Sequence, residues 1–124
     1  MSMQLHIIGS NSLGNGYVLN AEKEALVLEA GCRICSVKKA LSYNTKKCLG
    51  VLVTHKHQDH AKYVHEFIKA GIKVYAPDDV FSGTIYEGNF FTKRLYPNRG
   101  YRIGGFRVFV IEVVHDVPCF AYLV

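Results

Sequence analysis

Between residues 54 and 60 the chain reads Thr54-His55-Lys56-His57-Gln58-Asp59-His60, which places four potential metal ligands within six residues. The apolar segment Leu49–Val53 comes directly before it, and a helical pattern that ends at Gly71 comes after it. The pattern predicts a loop between a buried strand and a helix. Open α/β sheets place their functional groups on such loops.

The spacing of the four ligands indicates how they would be presented. His55 and His57 are two residues apart, so in extended backbone both side chains would point to one side. Asp59 and His60 would lie in or beside the first helical turn and could reach a second point. Imidazole and carboxylate suit Zn²⁺, Mn²⁺ or Fe, so one loop could hold two adjacent cations.

This loop resembles the T-H-x-H-x-D-H signature of the metallo-β-lactamase-fold hydrolases. Three other stretches agree with the resemblance: the Gly/Ser/Asn-rich stretch Ile8–Asn15, the strand ending Leu26–Gly31 and the stretch Val114–Pro118. The stretch Ile8–Asn15 is similar to that of a subgroup related to bacterial exonucleases and phosphodiesterases.

The resemblance implies an αββα sandwich of the α/β (α+β) class with two metals at one edge. His55, His57 and His115 would bind the first metal, and Asp59 and His60 would bind the second. Zn²⁺ is expected at both sites, with Mn²⁺ or Fe as alternatives. A water between the metals would be the nucleophile, and Asp59 would also act catalytically by orienting it.

The resemblance also implies supporting residues around the metals. Glu29 stands where the family usually has Asp, whose carboxylate supports the metal ligands. Because Glu is one methylene longer, its support geometry departs from the family pattern. The other residues expected beside the metals or the substrate are Ser10, Asn11, Ser12, Asn15 and Asp116.

Length and composition favour one globular domain spanning residues 1–124, with 49% hydrophobic and 20% charged residues. No apolar run approaches the roughly 20 residues of a membrane span, and no signal-peptide pattern is visible, so a cytoplasmic protein is expected. Reduced thiols are expected for the four cysteines. The Cys32-x-x-Cys35 pair leaves a redox pair or half a zinc site as alternatives.

The net charge of +5 suits an anionic substrate such as a phosphodiester or a nucleic acid, although solvated lysines explain it equally well. The basic and aromatic stretch between residues 88 and 105 has two interpretations. It could form a stacking and phosphate-binding surface, but a β-hairpin with one packed face is the more common structure for such a stretch.

The end of the sequence departs from the family pattern. A complete member continues with a bridging Asp and a last His on later strands, whereas here the only Asp after His115 is Asp116 and no His follows. The sequence therefore predicts the N-terminal half of the domain, as a single incomplete domain. A half sandwich would expose a sheet face and a strand edge, so self-association or a completing C-terminal half is expected.

Three functions remain open at this point. The first is a metal-dependent hydrolase that uses a metal-activated water, acting on phosphodiesters of nucleic-acid or nucleotide type. The second is a catalytically incomplete fragment that binds one metal and self-associates. The third is a thioester or lactone hydrolase of the same fold.

The remaining elements are predicted from periodicity and turn chemistry. A loop is expected at residues 9–16, and one helix is expected after the histidine loop. A helix is also expected at residues 36–43. Strands are expected at residues 3–8, 17–20, 25–28, 49–53, 72–76, 106–114 and 120–124.

Overall fold

The computed structural model describes residues 3–124, so Met1 and Ser2 of the predicted domain lie outside the described residues. The first half of the chain forms four strands and one helix, with a short 3-10 turn before the fourth strand. These elements are β1 (Met3–Asn11), β2 (Gly14–Ala21), β3 (Ala25–Leu28), α1 (Ile34–Ala40) and β4 (Cys48–Leu52).

The second half begins with two short helices and continues mainly as strands, with a 3-10 turn at Asp78–Val80. Its elements are α2 (Gln58–Ala61), α3 (Val64–Lys69), β5 (Val74–Ala76), β6 (Thr92–Arg94), β7 (Gly100–Ile103), β8 (Phe106–Val113) and β9 (Cys119–Leu123). In this described part of the chain, no helix has the length and hydrophobicity needed to cross a bilayer.

The strands form two sheets. The larger has the order β1-β2-β3-β4-β5-β6, and the smaller has the order β7-β8-β9. β1, β2 and β3 pair antiparallel, whereas β3, β4, β5 and β6 pair parallel. Because these four strands run in one direction, their carboxyl ends share one edge of the sheet. The segments after β3 and β4 are therefore neighbours.

Two apolar clusters hold the layers together. One lies between the helices and the larger sheet and includes Val51 and Phe67, and the other lies between the two sheets and includes Leu52 and Val108. Val51 and Leu52 face opposite sides because successive strand residues alternate. The chain thus forms a helix layer, a mixed sheet and an antiparallel sheet, which confirms the predicted α+β class.

The loop predicted for residues 9–16 is wrong, because β1 and β2 run through most of it and turn at Ser12 and Leu13. Its glycines serve close packing rather than a turn. A Cβ on Gly14 would lie 2.3 Å from the Gly31 carbonyl oxygen, and one on Gly16 would lie 3.0 Å from Cys32 Sγ. The β1–β2 hairpin can therefore approach the end of β3.

Two other local predictions also need correction. The stretch between residues 88 and 105 does not form a hairpin, because β6 joins the larger sheet beside β5 and β7 joins the smaller sheet beside β8. The single helix expected after the histidine loop is two helices. They are separated where the Tyr63 N–H donates to the Ala30 carbonyl at 2.8 Å instead of continuing the helix.

Candidate metal centre

Three histidines from two different sheets meet at the carboxyl edge. His55 and His57 follow β4 of the larger sheet, and His115 follows β8 of the smaller one. The ring centroid of His55 lies 4.8 Å from that of His57 and 4.8 Å from that of His115. The ring centroids of His57 and His115 are 5.3 Å apart. Each ring offers a nitrogen within 4.8 Å of the others. Three converging imidazoles match the donor set of a zinc or iron site.

Neighbouring polar groups engage one nitrogen of each ring. Thr54 Oγ1 lies 2.7 Å from His55 Nδ1, and Asp116 Oδ2 lies 3.4 Å from His57 Nε2. Asp116 Oδ1 also contacts His115 Nδ1. The nitrogens left for a metal are therefore Nε2 of His55, Nδ1 of His57 and Nε2 of His115. Polar partners of this kind orient ligating histidines in metal sites.

Asp59 and His60 lie beside this trio. The His60 ring centroid is 4.2 Å from that of His55, and Asp59 Oδ2 is 3.4 Å from His60 Nε2. The Asn15 amide donates to the Asp59 carbonyl at 3.1 Å and lies 3.4 Å from both Asp59 Oδ2 and His60 Nε2. One carboxylate, one imidazole and one amide thus converge next to the three histidines.

Glu29 lies behind the cluster and is 7% exposed. Its carboxylate accepts hydrogen bonds from the Thr54 N–H at 2.9 Å and the Thr54 hydroxyl at 2.7 Å, and it contacts His60 Nδ1. Glu29, His55 and His60 also form a trio close enough to hold an ion. Because Glu29 already engages the far nitrogen of His60, its position suits support of the ligands better than ligation.

The electrostatics of the cluster favour a neutral imidazole at His55. Burial, followed by the neighbouring rings of His60, His57 and His115, lowers the pKa of His55 to about 4, although Asp59 acts in the opposite direction. A neutral imidazole is the form that binds a metal, so this side chain is ready as a ligand at neutral pH.

The predicted residues of the opening stretch separate in the structure. Only Asn15 reaches the cluster. Ser10 and Asn11 make hydrogen bonds within the β1–β2 hairpin. One joins the hydroxyls of Ser10 and Tyr17 at 2.7 Å, and the other runs from the Leu13 N–H to Asn11 Oδ1 at 2.8 Å. Ser12 is exposed in the turn.

Two residues beside the cluster were not singled out from the sequence. Thr54 could have been found from its position directly before His55 at a strand end. Cys119 gave no such signal, because it is brought close only when the Phe120 N–H donates to the Thr54 carbonyl at 2.9 Å. Its Sγ then lies 3.6 Å from His55 Nδ1.

Compared by sequence, the chain matches no family model and no curated protein. Compared by structure, it matches the metallo-β-lactamase fold protein YhfI from Bacillus subtilis with a TM-score of 0.75 and 21% identity, over 98% of this chain and 57% of that one. The class B3 di-zinc metallo-β-lactamase LRA-12 from an Alaskan soil metagenome matches with a TM-score of 0.72 and 19% identity, over 98% and 54% of the two chains.

A third similar structure is the chemotaxis sensor ODP, described with a peroxy diiron species. It has a TM-score of 0.74 and 14% identity, over 97% of this chain and 54% of that one. The fold of this chain is therefore that of the metallo-β-lactamases, as the resemblance implies. The chain spans about half the length of the structures it matches.

Proposed function

We propose, on the metallo-β-lactamase fold of this chain, that it carries the metal centre of a metal-dependent hydrolase that acts on phosphodiesters. The observation that carries the proposal is the convergence of His55, His57 and His115 from two sheets, with nitrogens within 4.8 Å of one another. A divalent cation bound there would supply Lewis acidity and a water of lowered pKa.

The residues of the chain then have distinct roles. His55, His57 and His115 hold the first cation, for which Zn²⁺ is proposed and Mn²⁺ or Fe are alternatives. Asp59 and His60 offer two ligands for a second cation. Asp59 would also orient the attacking water.

The substrate class that we propose is phosphodiesters. It is supported by the net charge of +5, which favours an anionic substrate such as a nucleic acid or nucleotide. The similarity of residues 8–15 to the phosphodiesterase-like subgroup points the same way. A thioester or lactone hydrolase of the same fold is the alternative that the substrate assay separates.

A second candidate function is a one-metal fragment without catalysis. This candidate is favoured because the second metal position has too few ligands. Among residues 3–124, Asp59 and His60 do not form a three-ligand group of their own. On this proposal a completing segment or a second copy supplies the further ligands before hydrolysis can occur.

The test begins with the zinc content per chain after metal removal and reloading. We expect at least one zinc per wild-type chain, and we expect His57→Ala to lose it because one of three ligands is gone. His65→Ala is the matched control, because His65 lies on α3 beside Tyr63 rather than in the cluster. Equal zinc retention by His57→Ala and the wild type would overturn the ligand assignment.

The same preparations are then given bis(p-nitrophenyl) phosphate, a thioester and a lactone. Faster zinc-dependent hydrolysis of the phosphodiester supports the proposed substrate class. Hydrolysis of only the thioester or the lactone would contradict that class and keep the metal-dependent hydrolase. One zinc per chain without turnover of any substrate would favour the one-metal fragment.

A further inference from the structure

A hydrogen-bonded chain runs from His55 through Thr54 and Glu29 to His60, and it connects both candidate metal positions. We propose that Thr54 is a positioning residue whose hydroxyl fixes the tautomer of His55 and couples the orientation of His55 to that of His60. The metal-affinity part of this inference rests on the proposed function. The tautomer part rests only on the geometry of the metal-free chain.

The proton positions follow from the capacity of each group. Glu29 accepts from the Thr54 hydroxyl at 2.7 Å and from the Thr54 N–H at 2.9 Å. A hydroxyl has one proton to donate, and here it is donated to the carboxylate. Thr54 Oγ1 can then only accept from His55 Nδ1, which lies 2.7 Å away. His55 therefore carries its proton on Nδ1 and keeps the lone pair of Nε2 for a metal.

The same carboxylate determines which ring nitrogen of His60 carries the proton. Glu29 Oε2 also contacts His60 Nδ1. Because a carboxylate only accepts, His60 donates from Nδ1 and leaves Nε2 on the side of Asp59. One carboxylate thus selects the ligand nitrogen of a histidine at each candidate metal position, directly for His60 and through a hydroxyl for His55.

The fold explains why these groups can meet. Glu29 follows β3 and Thr54 comes two residues after β4, and these parallel strands are neighbours with Leu28 beside Leu52. The Glu29 N–H donates to the Leu52 carbonyl at 2.7 Å, and the Glu29 backbone has a φ of +70°. Glu29 and His55 are each 7% exposed, so their hydrogen bonds act at low effective dielectric and are strengthened.

Cys119 is the competing partner for the same nitrogen. Its Sγ lies 3.6 Å from His55 Nδ1, compared with 2.7 Å for Thr54 Oγ1. A thiol sulfur is a weak acceptor, and the oxygen is closer, so the geometry favours Thr54. Variants at both positions distinguish the two partners.

The first measurement is the tautomer of His55 in the metal-free protein, read from ¹⁵N chemical shifts of the imidazole nitrogens. We expect the Nδ1–H form in the wild type, in Thr54→Ser and in Cys119→Ala. We expect a mixture of both tautomers in Thr54→Val, which keeps the β-branched shape and the backbone hydrogen bond to Glu29. A pure Nδ1–H form in Thr54→Val, or its loss in Cys119→Ala, would overturn the inference.

The second measurement is zinc affinity by competition with a chelator. Polar partners behind metal ligands are commonly worth about 10–100-fold in affinity, so Thr54→Val should weaken zinc binding by about that factor and Thr54→Ser should restore it. Unchanged affinity in Thr54→Val would contradict the positioning role. If the wild type binds no zinc, the proposed function fails, whereas the tautomer result still decides the role of Thr54.

A double-mutant cycle tests the coupling through Glu29. Thr54→Val and Glu29→Gln act on one hydrogen-bonded chain, so their effects on the His55 tautomer should be less than additive. Additive effects would show that Thr54 and Glu29 act on His55 independently. That result would remove the coupling from the inference.

Discussion

At the scale of single residues, Glu29 stands where the resemblance would place an Asp. Its side chain is one methylene longer than that of Asp. Here the backbone of Glu29 adopts a φ of +70°, a region that is uncommon for a non-glycine residue. The carboxylate then reaches both the Thr54 hydroxyl and His60. The sequence showed the Glu at this position, but its backbone conformation and these two contacts depend on the fold.

The cysteines show how burial changes the chemistry of a side chain. All four, which lie among the described residues, are free thiols. Cys35 is exposed, whereas burial raises the pKa of the Cys48 thiol to about 11, with the hydrogen bond to the Gly50 backbone acting in the opposite direction. The thiolate is the reactive form, so the two thiols should differ in reactivity near neutral pH.

We predict that iodoacetamide at pH 8 modifies Cys35 in the folded protein and leaves Cys48 unmodified until denaturant is added. Peptide mass spectrometry measures both sites, and Cys35→Ser is the control. Because the folded state raises the Cys48 pKa, its contribution to stability is complete below about pH 9 and is lost as the pH rises through about 11. Modification of Cys48 as fast as Cys35 would contradict this prediction.

At the scale of elements, local pattern predicted the strands well and the connections poorly. The apolar run before the histidines forms β4, and the strand, helix and strand order around it is confirmed. The spacing of His55, His57, Asp59 and His60 is local and could be seen in the sequence. The pairing of β6 with β5 is long-range, because residues 92–94 lie beside residues 74–76 in the larger sheet, and a basic and aromatic stretch carries no signal for it. β7 and β8 instead form a local hairpin that turns at Gly104 and Gly105, and a Gly-Gly pair is a hairpin signal that the sequence does contain.

The approach of β3 to the histidine loop is another long-range feature. The Ala30 N–H donates to the His60 carbonyl at 2.7 Å, and the Gly31 N–H donates to the Asn15 carbonyl at 2.9 Å. A Cβ on Gly31 would lie 1.9 Å from the Asp59 carbonyl oxygen and 2.6 Å from the Asn15 nitrogen. Both of these are backbone atoms, so the Asp59 oxygen could move only with α2 and the Asn15 nitrogen only with β2.

We therefore predict that Gly31→Ala lowers the free energy of unfolding by about 1–3 kcal/mol, the usual cost of overpacking. Urea unfolding measures the change. Gly100→Ala is the control, because nothing lies within 4 Å of its added Cβ and its φ is not positive. A change within about 0.5 kcal/mol is expected for it. Equal stability of the two variants would show that α2 and β2 tolerate displacement at Gly31.

At the scale of the whole molecule, the larger sheet packs against the helices on one face and against the smaller sheet on the other, whereas among residues 3–124 the smaller sheet packs on one face only. The outer face of the smaller sheet presents Phe109, Ile111 and Leu123, which are 38%, 43% and 65% exposed. Phe109 lies directly opposite Leu123, so these side chains adjoin. Within the described residues β9 pairs only with β8, which leaves a strand edge beside this face. Adjoining apolar groups next to an open edge are typical of an association surface.

We predict that the isolated chain self-associates through this face, because association removes its apolar side chains from water. In sedimentation velocity, the mean sedimentation coefficient of the wild type should rise with protein concentration. The double variant Phe109→Lys, Leu123→Lys should abolish the rise, because association would then bury charged side chains or bring like charges together. Ile85→Lys is the control, since Ile85 is 89% exposed but lies outside both sheets. A wild-type chain that stays monomeric at every concentration would contradict self-association and favour a separate completing segment as the cover of this face.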